Sequence, residues 1–73
     1  MSAAKKHRRL LGEAVRANRK EAGFSQEKLA EKSDLSTVFI SRIERGIESP
    51  SVDNLVKIAK ALGVPVRDLV RGF

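Results

Sequence analysis

The segment that decides the fold is residues 25–46, which read SQEKLAEKSDLSTVFISRIERG. Ser25 and Ser36 each stand before a short helix-forming run, where a serine hydroxyl accepts a hydrogen bond from a free backbone amide of the first turn. Glycine at position 46 suits the left-handed conformation that follows a helix. The segment therefore predicts a helix over residues 26–32, a turn over residues 33–35 and a helix over residues 36–45 that ends at Gly46.

The second of these helices has an apolar face and a mixed face. Ile40 and Ile43 are spaced to lie on one side, together with Glu44. The opposite side carries Val38, Ser41, Arg42 and Arg45, at the spacing i, i+3, i+4 and i+7. These side chains complement the donors, acceptors and thymine methyl groups that base edges present in the major groove. The pattern therefore predicts a helix that reads DNA.

Length and charge indicate what kind of partner to expect. The chain has 73 residues and a formal net charge of +6, from 15 Lys and Arg against 9 Asp and Glu. A domain of this size buries only about 60% of its unfolded surface, so its stability margin is thin and a dimer would help it. The excess of positive charge favours a polyanion, either nucleic acid or an anionic membrane surface.

Composition also excludes several kinds of site. The chain has no cysteine, which excludes disulfides and thiolate metal sites, and its single histidine, His7, cannot form a metal cluster alone. The longest apolar run is residues 38–40, too short for a signal peptide or a membrane span. We expect a soluble, cytoplasmic protein with no metal, no cofactor and no membrane partner.

We also predict helices in the rest of the chain, because it shows no alternating strand pattern. We predict a flexible basic arm over residues 1–6 and a first helix from about Lys6 to Ala22, with Leu11, Val15 and Ala22 on one side. A fourth helix follows the predicted N-cap Ser51, and a fifth starts near Pro65, whose fixed φ suits the first helical position. The apolar residues of these last two helices are Leu55, Ile58, Ala59, Leu62, Val66, Leu69 and Val70. The fold class is an all-α, compact five-helix bundle, with residues 1–73 forming one domain.

This arrangement resembles the helix-turn-helix family of phage repressors, Cro proteins and their bacterial relatives. The resemblance covers about residues 11–69 and rests on Arg19 and on the segments 25–30, 40–46, 50–51 and 61–64. It implies a lambda-repressor-like DNA-binding domain whose helix 36–45 enters the major groove of double-stranded DNA. Where the family's turn commonly has glycine, this chain has Asp34, which tolerates the left-handed region at some conformational cost.

The resemblance also implies roles for individual residues. Arg19 and Glu44 correspond to the family's internal ion pair, the alternative being two unrelated surface charges; an unpaired carboxylate on the inward side would be costly. Gln26, at the positive end of its helix, corresponds to a phosphate contact, the alternative being a solvated polar residue. Arg42 either reads guanine through two hydrogen bonds or contacts a phosphate. Phe39 either covers the edge of the core or presses against a sugar of the duplex.

The complete set of expected DNA contacts follows from these readings. We assign base contacts to Thr37, Val38, Ser41 and Arg42, and contacts to the sugar-phosphate backbone to Gln26, Ser36, Phe39, Arg45, Ser49 and Ser51. Glu48 argues against a continuous anion-binding loop. The cluster Lys5, Lys6, Arg8 and Arg9 is either an arm along the DNA or a solvated helix start.

Family members usually bind palindromic operators as two-fold dimers, with recognition helices about 34 Å apart. We predict a homodimer through apolar residues beyond the needs of a small core, namely Val56, Val66, Val70 and Phe73. In the alternative, Val66 and Leu69 complete the monomer's core, and dimerisation is weak or depends on DNA.

We therefore expect a sequence-specific bacterial regulator of transcription, such as a restriction-modification controller, an antitoxin-like autorepressor or a phage Cro-like switch. The alternative is a protein-interaction module of the same fold, antitoxin-like or coactivator-like. An enzyme is disfavoured, because the chain has no cysteine, one histidine and no glycine-rich phosphate loop. The five helices account for the chain, so we expect no sensing domain and no small-molecule ligand.

Overall fold

A computed structural model describes residues 3–73, with side chains from residue 4 onward. Over these residues the chain forms five helices and no strand, which confirms the predicted all-α class. The helices are α1 (Ala3–Glu21), α2 (Gln26–Ser33), α3 (Thr37–Glu44), α4 (Val52–Leu62) and α5 (Val66–Val70).

The three predicted serine caps set the starts of α2, α3 and α4. The Ser25 hydroxyl accepts a hydrogen bond from the Lys28 amide at 3.0 Å. The Ser36 and Ser51 hydroxyls accept equivalent bonds at 3.0 and 3.1 Å. Each bond satisfies an amide that has no partner inside its helix. Asp34 ends α2 in the left-handed conformation (φ 57°, ψ 42°), so the turn forms without glycine.

The start of α1 corrects one prediction. The helix begins at Ala3 instead of about Lys6, because the intervening alanines and lysines are good helix formers with no breaker among them. Residues 3–6 of the predicted flexible arm are therefore helical. Met1 and Ser2, the remainder of that arm, lie outside the described residues.

Four other boundaries differ slightly from the sequence prediction. α3 is Thr37–Glu44 instead of residues 36–45, because Ser36 and Arg45 are its capping residues. Ala22 lies beyond the end of α1 and is exposed, so it takes no part in the apolar face. Ser33 is the last residue of α2, where its buried hydroxyl donates to the Leu29 carbonyl at 2.7 Å. Pro65 is the residue before α5 and not its first residue, because its ψ of 153° is extended.

The core fills the space between α1, α2, α3 and α4, and α5 closes one side of it. α3 packs against both α1 and α2, α2 packs on α4, and α5 contacts α1. The buried apolar residues are Leu11, Val15, Leu29, Ala30, Ile40, Ile43, Ile58, Ala59, Leu62 and Leu69. Because α3 has neighbours on two sides only, the rest of its surface faces solvent.

Gly12 permits the closest approach between α1 and α3. It is buried in α1, and a Cβ atom built there would lie 2.4 Å from the Ile43 carbonyl oxygen and 2.8 Å from that of Glu44. Backbone therefore meets backbone at the carboxyl end of α3. The sequence reading did not identify this glycine, because one glycine inside a helix pattern gives no sign of what packs on it.

We expect Gly12→Ala to destabilise the protein, although alanine is the better helix former. Overpacking costs about 1–3 kcal/mol, which exceeds the gain of about 0.5–1 kcal/mol from replacing a helical glycine with alanine. Gly72→Ala is the control, since its Cβ would meet only Leu10 side-chain atoms at 3.8 and 4.0 Å. Urea denaturation followed by circular dichroism measures both, and an undiminished stability of Gly12→Ala would contradict the contact.

Candidate nucleic-acid interface

α3 presents the two faces that the sequence predicts. Ile40 and Ile43 are fully buried. Val38 is 68% exposed, and Arg42 and Arg45 are exposed as well. Thr37 and Ser41 are half-buried on the margin of this outward face. The mixed row at i, i+3, i+4 and i+7 is thus accessible to a partner.

A buried ion pair fixes the rotation of α3 about its own axis. Arg19 donates from Nε to Glu44 Oε2 at 2.6 Å and from Nη2 to Glu44 Oε1 at 3.0 Å. The two side chains are only 11% and 3% exposed. Two parallel N–H···O bonds between guanidinium and carboxylate form the strongest and most directional of protein ion pairs. Glu44 is therefore held inward, which turns Arg42 and Arg45 outward.

The same pair connects α1 and α3 to the start of α2. Arg19 Nη1 donates to the Phe24 carbonyl at 2.8 Å, and Gln26 Nε2 donates to Glu44 Oε1 at 3.1 Å. Gln26 is the first residue of α2, next to its free backbone amides. Its side-chain amide has two hydrogens, so one remains available beside those amides after the bond to Glu44. Gln26 thus has a structural bond that the sequence did not suggest.

The hydrogen bond to Glu44 raises the pKa of the Arg19 guanidinium above its ordinary value; burial opposes this shift, and the Glu44 charge adds to it. When the pKa of a group is higher in the folded state, its contribution to stability is complete at pH values below the unfolded-state pKa. The contribution is lost as the pH rises through the folded-state pKa. For an arginine, both values lie in the strongly alkaline range. The contribution of Arg19 is therefore constant across neutral pH.

Arg42 has an acidic neighbour that the sequence reading did not pair with it. Its Nε donates to Glu48 Oε1 at 3.1 Å, and the two side chains are 44% and 33% exposed. Glu48 lies in the loop between α3 and α4. The path of an irregular loop does not follow from helical periodicity, so the sequence carries no signal for this pair.

The expected backbone contacts are distributed around α3. Ser36, Ser49 and Ser51 are exposed, and the capping serines keep a hydroxyl hydrogen to donate. Arg45 is exposed, with a long Nε contact of 3.4 Å to the Ser41 carbonyl. Phe39 packs against the core, and its ring has no group that can bind a phosphate. The structure therefore favours core packing over a backbone contact for Phe39.

The basic start of α1 passes beside the carboxyl end of α3. A Cβ on Gly46 would lie 3.2 Å from the Arg9 Cα, and the Arg9 side chain bonds to Glu13 at 2.9 Å. Lys5, Lys6 and Arg9 are exposed, whereas Arg8 is half-buried. This cluster is part of a helix whose backbone at Arg9 lies close to Gly46, just after α3, and it is not an extended segment.

The residues expected at a dimer interface divide into two groups. Val66 packs against the chain's own core and Leu69 is buried in it, as in the alternative interpretation, and Val70 packs against the core as well. Phe73 is 53% exposed and stacks on His7, with the ring centroids 4.9 Å apart. Val56 is half-buried on α4, one turn after Val52, which is 77% exposed and was not predicted.

Residues 3–73 contain neither a metal-binding cluster nor a membrane-spanning helix. No group of three or more His, Asp or Glu side chains in this part of the chain is arranged to hold a metal ion. None of the described helices combines the length and the apolar character that crossing a membrane requires.

A capped α2, a tight turn and an α3 with an outward mixed row define the helix-turn-helix class of DNA-binding domain. Comparison with known proteins agrees with this assignment, since a family model described as helix-turn-helix matches residues 15–69. The chain belongs to this family, which comprises DNA-binding transcriptional regulators of the Cro/C1 type.

Individual relatives match along most of the chain. Control protein C.BamHI of Bacillus amyloliquefaciens is 50% identical over 64 residues, covering 86% of this chain and 79% of the relative. The restriction-modification controller C.AhdI of Aeromonas hydrophila superimposes with a TM-score of 0.83 and 35% identity, covering 85% of this chain and 94% of that one. The P22 c2 repressor in complex with a synthetic operator gives a TM-score of 0.80 and 35% identity, covering 86% of this chain and 96% of that one. Several other curated relatives are longer proteins, and the match spans 38% to 56% of their length.

We expect Arg19→Ala to lower the free energy of unfolding by about 3–5 kcal/mol, because it leaves the buried Glu44 carboxylate without its charged partner. Arg71→Ala is the matched control. Its ion pair with Asp68 is equally short, 2.6 Å, but the Arg71 side chain is 75% exposed. Losing an exposed pair costs at most about 1 kcal/mol. Chemical denaturation measures the free energy of unfolding of both variants. If both variants lose the same small amount of stability, the Arg19–Glu44 pair behaves like an exposed ion pair.

Proposed function

We propose that this protein binds a palindromic DNA operator as a homodimer and regulates transcription from it, with α3 in the major groove. The observation that carries the proposal is the accessible row on α3, held outward by the buried Arg19–Glu44 pair. One relative, C.AhdI, is named as a restriction-modification controller, and another, C.BamHI, is named as a control protein. Among the regulated systems considered, control of restriction-modification genes is therefore the one we favour.

In this proposal four side chains read bases. Arg42 pairs with guanine through O6 and N7, and Val38 contacts a thymine methyl group. The hydroxyls of Thr37 and Ser41 bond to base edges at the margin of the row. Exposure supports these roles, since Val38 is among the most exposed apolar side chains of the described residues and has no structural role there.

Other groups bind the phosphates on either side of the groove. Gln26 and the free amides at the start of α2 form one anion site, because a helix amino terminus favours negative charge. Ser36, Ser49, Ser51 and Arg45 donate to further phosphates, and the basic first turns of α1 extend the positive surface. The net charge of +6 supplies the sequence-independent part of the affinity.

The homodimer is proposed to form through Val56 and Phe73, together with the half-buried Val66 and Val70. Val56 is half-buried on α4 and Phe73 is exposed, so both can contact a second copy. A two-fold axis there would present two copies of α3 to successive major grooves of a palindrome.

Two arginine variants on α3 test direct base reading against a phosphate contact. We expect Arg42→Ala to weaken operator binding by about 1–3 kcal/mol, with little effect on a scrambled duplex. We expect Arg45→Ala to weaken both duplexes alike and to reduce the slope of log affinity against log salt by about 0.9. The measurement is fluorescence anisotropy over a salt series, with the operator mapped by footprinting upstream of the protein's own gene.

Equal losses on both duplexes from Arg42→Ala would remove the case for base reading. Negligible binding of the unmodified protein to any duplex would favour the protein-interaction module instead.

A single charge on α4 tests the dimer. We expect Val56→Asp to raise the dimer dissociation constant by about fivefold or more, because a truncated or charged interface anchor costs more than about 1 kcal/mol. Val38→Asp is the control, since it introduces the same charge on the exposed face of α3. Sedimentation equilibrium measures both variants. A monomeric unmodified protein would overturn the proposed homodimer, and equal effects of the two substitutions would place the dimer contact elsewhere.

A further inference from the structure

The bond between Arg42 and Glu48 joins the proposed base-reading side chain to the loop that follows α3. Arg42 Nε donates to Glu48 Oε1 at 3.1 Å. Both side chains are partly exposed, and exposed ion pairs contribute little to folding stability. Folding stability therefore does not account for the pair, and we consider a role in what the outward row of α3 binds.

The geometry of the bond leaves Arg42 able to read a base. A guanidinium group has five N–H donors in a planar fork, and only Nε is bonded to Glu48. The Nη1 and Nη2 edge is not used by that bond, and two N–H donors on one edge match O6 and N7 of guanine. Restraining the side chain before binding reduces the rotamer freedom that is lost when the fork engages a base.

The charge of Glu48 acts in the same direction. A phosphate attracts Arg42 mainly by its negative charge, and each cation that neutralises a phosphate releases counterions from the duplex. A carboxylate bonded to the guanidinium already balances that charge, so a phosphate gains less from Arg42. Guanine still gains the two directional hydrogen bonds. The pair thus weakens the sequence-independent contact more than the specific one.

We propose that Glu48 is a specificity-determining residue that acts by positioning and neutralising Arg42. This inference rests on the proposed function, since it assumes that α3 reads bases. It assigns to a loop residue a share of the discrimination between operator and random DNA, and it favours base reading over a phosphate contact for Arg42.

The test is Glu48→Gln, which keeps the size of the side chain and removes its charge. Glu31→Gln is the matched control, because Glu31 is also a surface glutamate paired with a basic residue, Lys28 at 3.4 Å, and the net charge rises by one in both variants. Affinities for operator and scrambled duplex are measured over a salt series. Relative to the control, we expect Glu48→Gln to bind the scrambled duplex more tightly and to steepen its salt slope by about 0.9.

We expect the ratio of operator affinity to scrambled affinity to fall about two- to fivefold, the size of effect that one exposed charge pair produces. The same substitution in an Arg42→Ala background should give only the control's effect, because the partner through which Glu48 acts is gone.

Two results would overturn the inference. One is a Glu48→Gln protein whose affinity ratio and salt slope match those of Glu31→Gln. The other is an effect that persists without Arg42, which would mean that Glu48 contacts the DNA itself. Failure of the proposed function is seen separately, in an unmodified protein that does not discriminate between the duplexes, and that result would overturn this inference as well.

Discussion

The carboxylate of Glu44 is the constraint on which the arrangement of the helices depends. It is 3% exposed, and a buried charge is tolerable only when it is paired and its lone pairs are bonded. Arg19 supplies two bonds from α1 and Gln26 supplies one from the start of α2. Three helices are thus fixed relative to one another by a single side chain. Since Glu44 must face inward, helical periodicity sends Arg42 and Arg45 outward.

Gly12 acts on the same end of α3 through packing instead of charge. Without a side chain, it lets the backbone of α1 contact the carbonyl oxygens of Ile43 and Glu44. A larger residue would move α1 away from α3 and lengthen the bonds from Arg19 to Glu44. The ion pair and the glycine therefore depend on each other, because hydrogen bonds weaken steeply with distance and angle. Close packing of α1 on α3 keeps these hydrogen bonds short, and the bonds stabilise the buried charge.

Sequence patterns predicted the parts of the structure that local chemistry determines. The serine caps, Gly46 after α3 and the i, i+3, i+4 apolar spacing predict the helices, and the two faces of α3 follow from the same spacing. The Arg19–Glu44 pair came from the family resemblance. The contact at Gly12 and the bond from Arg42 to Glu48 were not predictable, because each depends on tertiary distance or on the path of a loop. α1 starts earlier than predicted because the helix propensity of alanine and lysine outweighs the unfavourable interaction of Lys5 and Lys6 with the helix dipole.

The proposed homodimer follows from the proposed base contacts by simple arithmetic. Specific operators are bound about 4–10 kcal/mol more tightly than random DNA, whereas one good two-bond contact to a base contributes about 1–3 kcal/mol. Of the four side chains proposed to read bases, Arg42 is the one that can form such a contact, and Thr37, Val38 and Ser41 offer single bonds or methyl contacts. One copy of α3 therefore reaches only the lower end of that range. Two copies related by symmetry double the base contacts and the phosphate contacts together, and the small core gains buried surface from the same association.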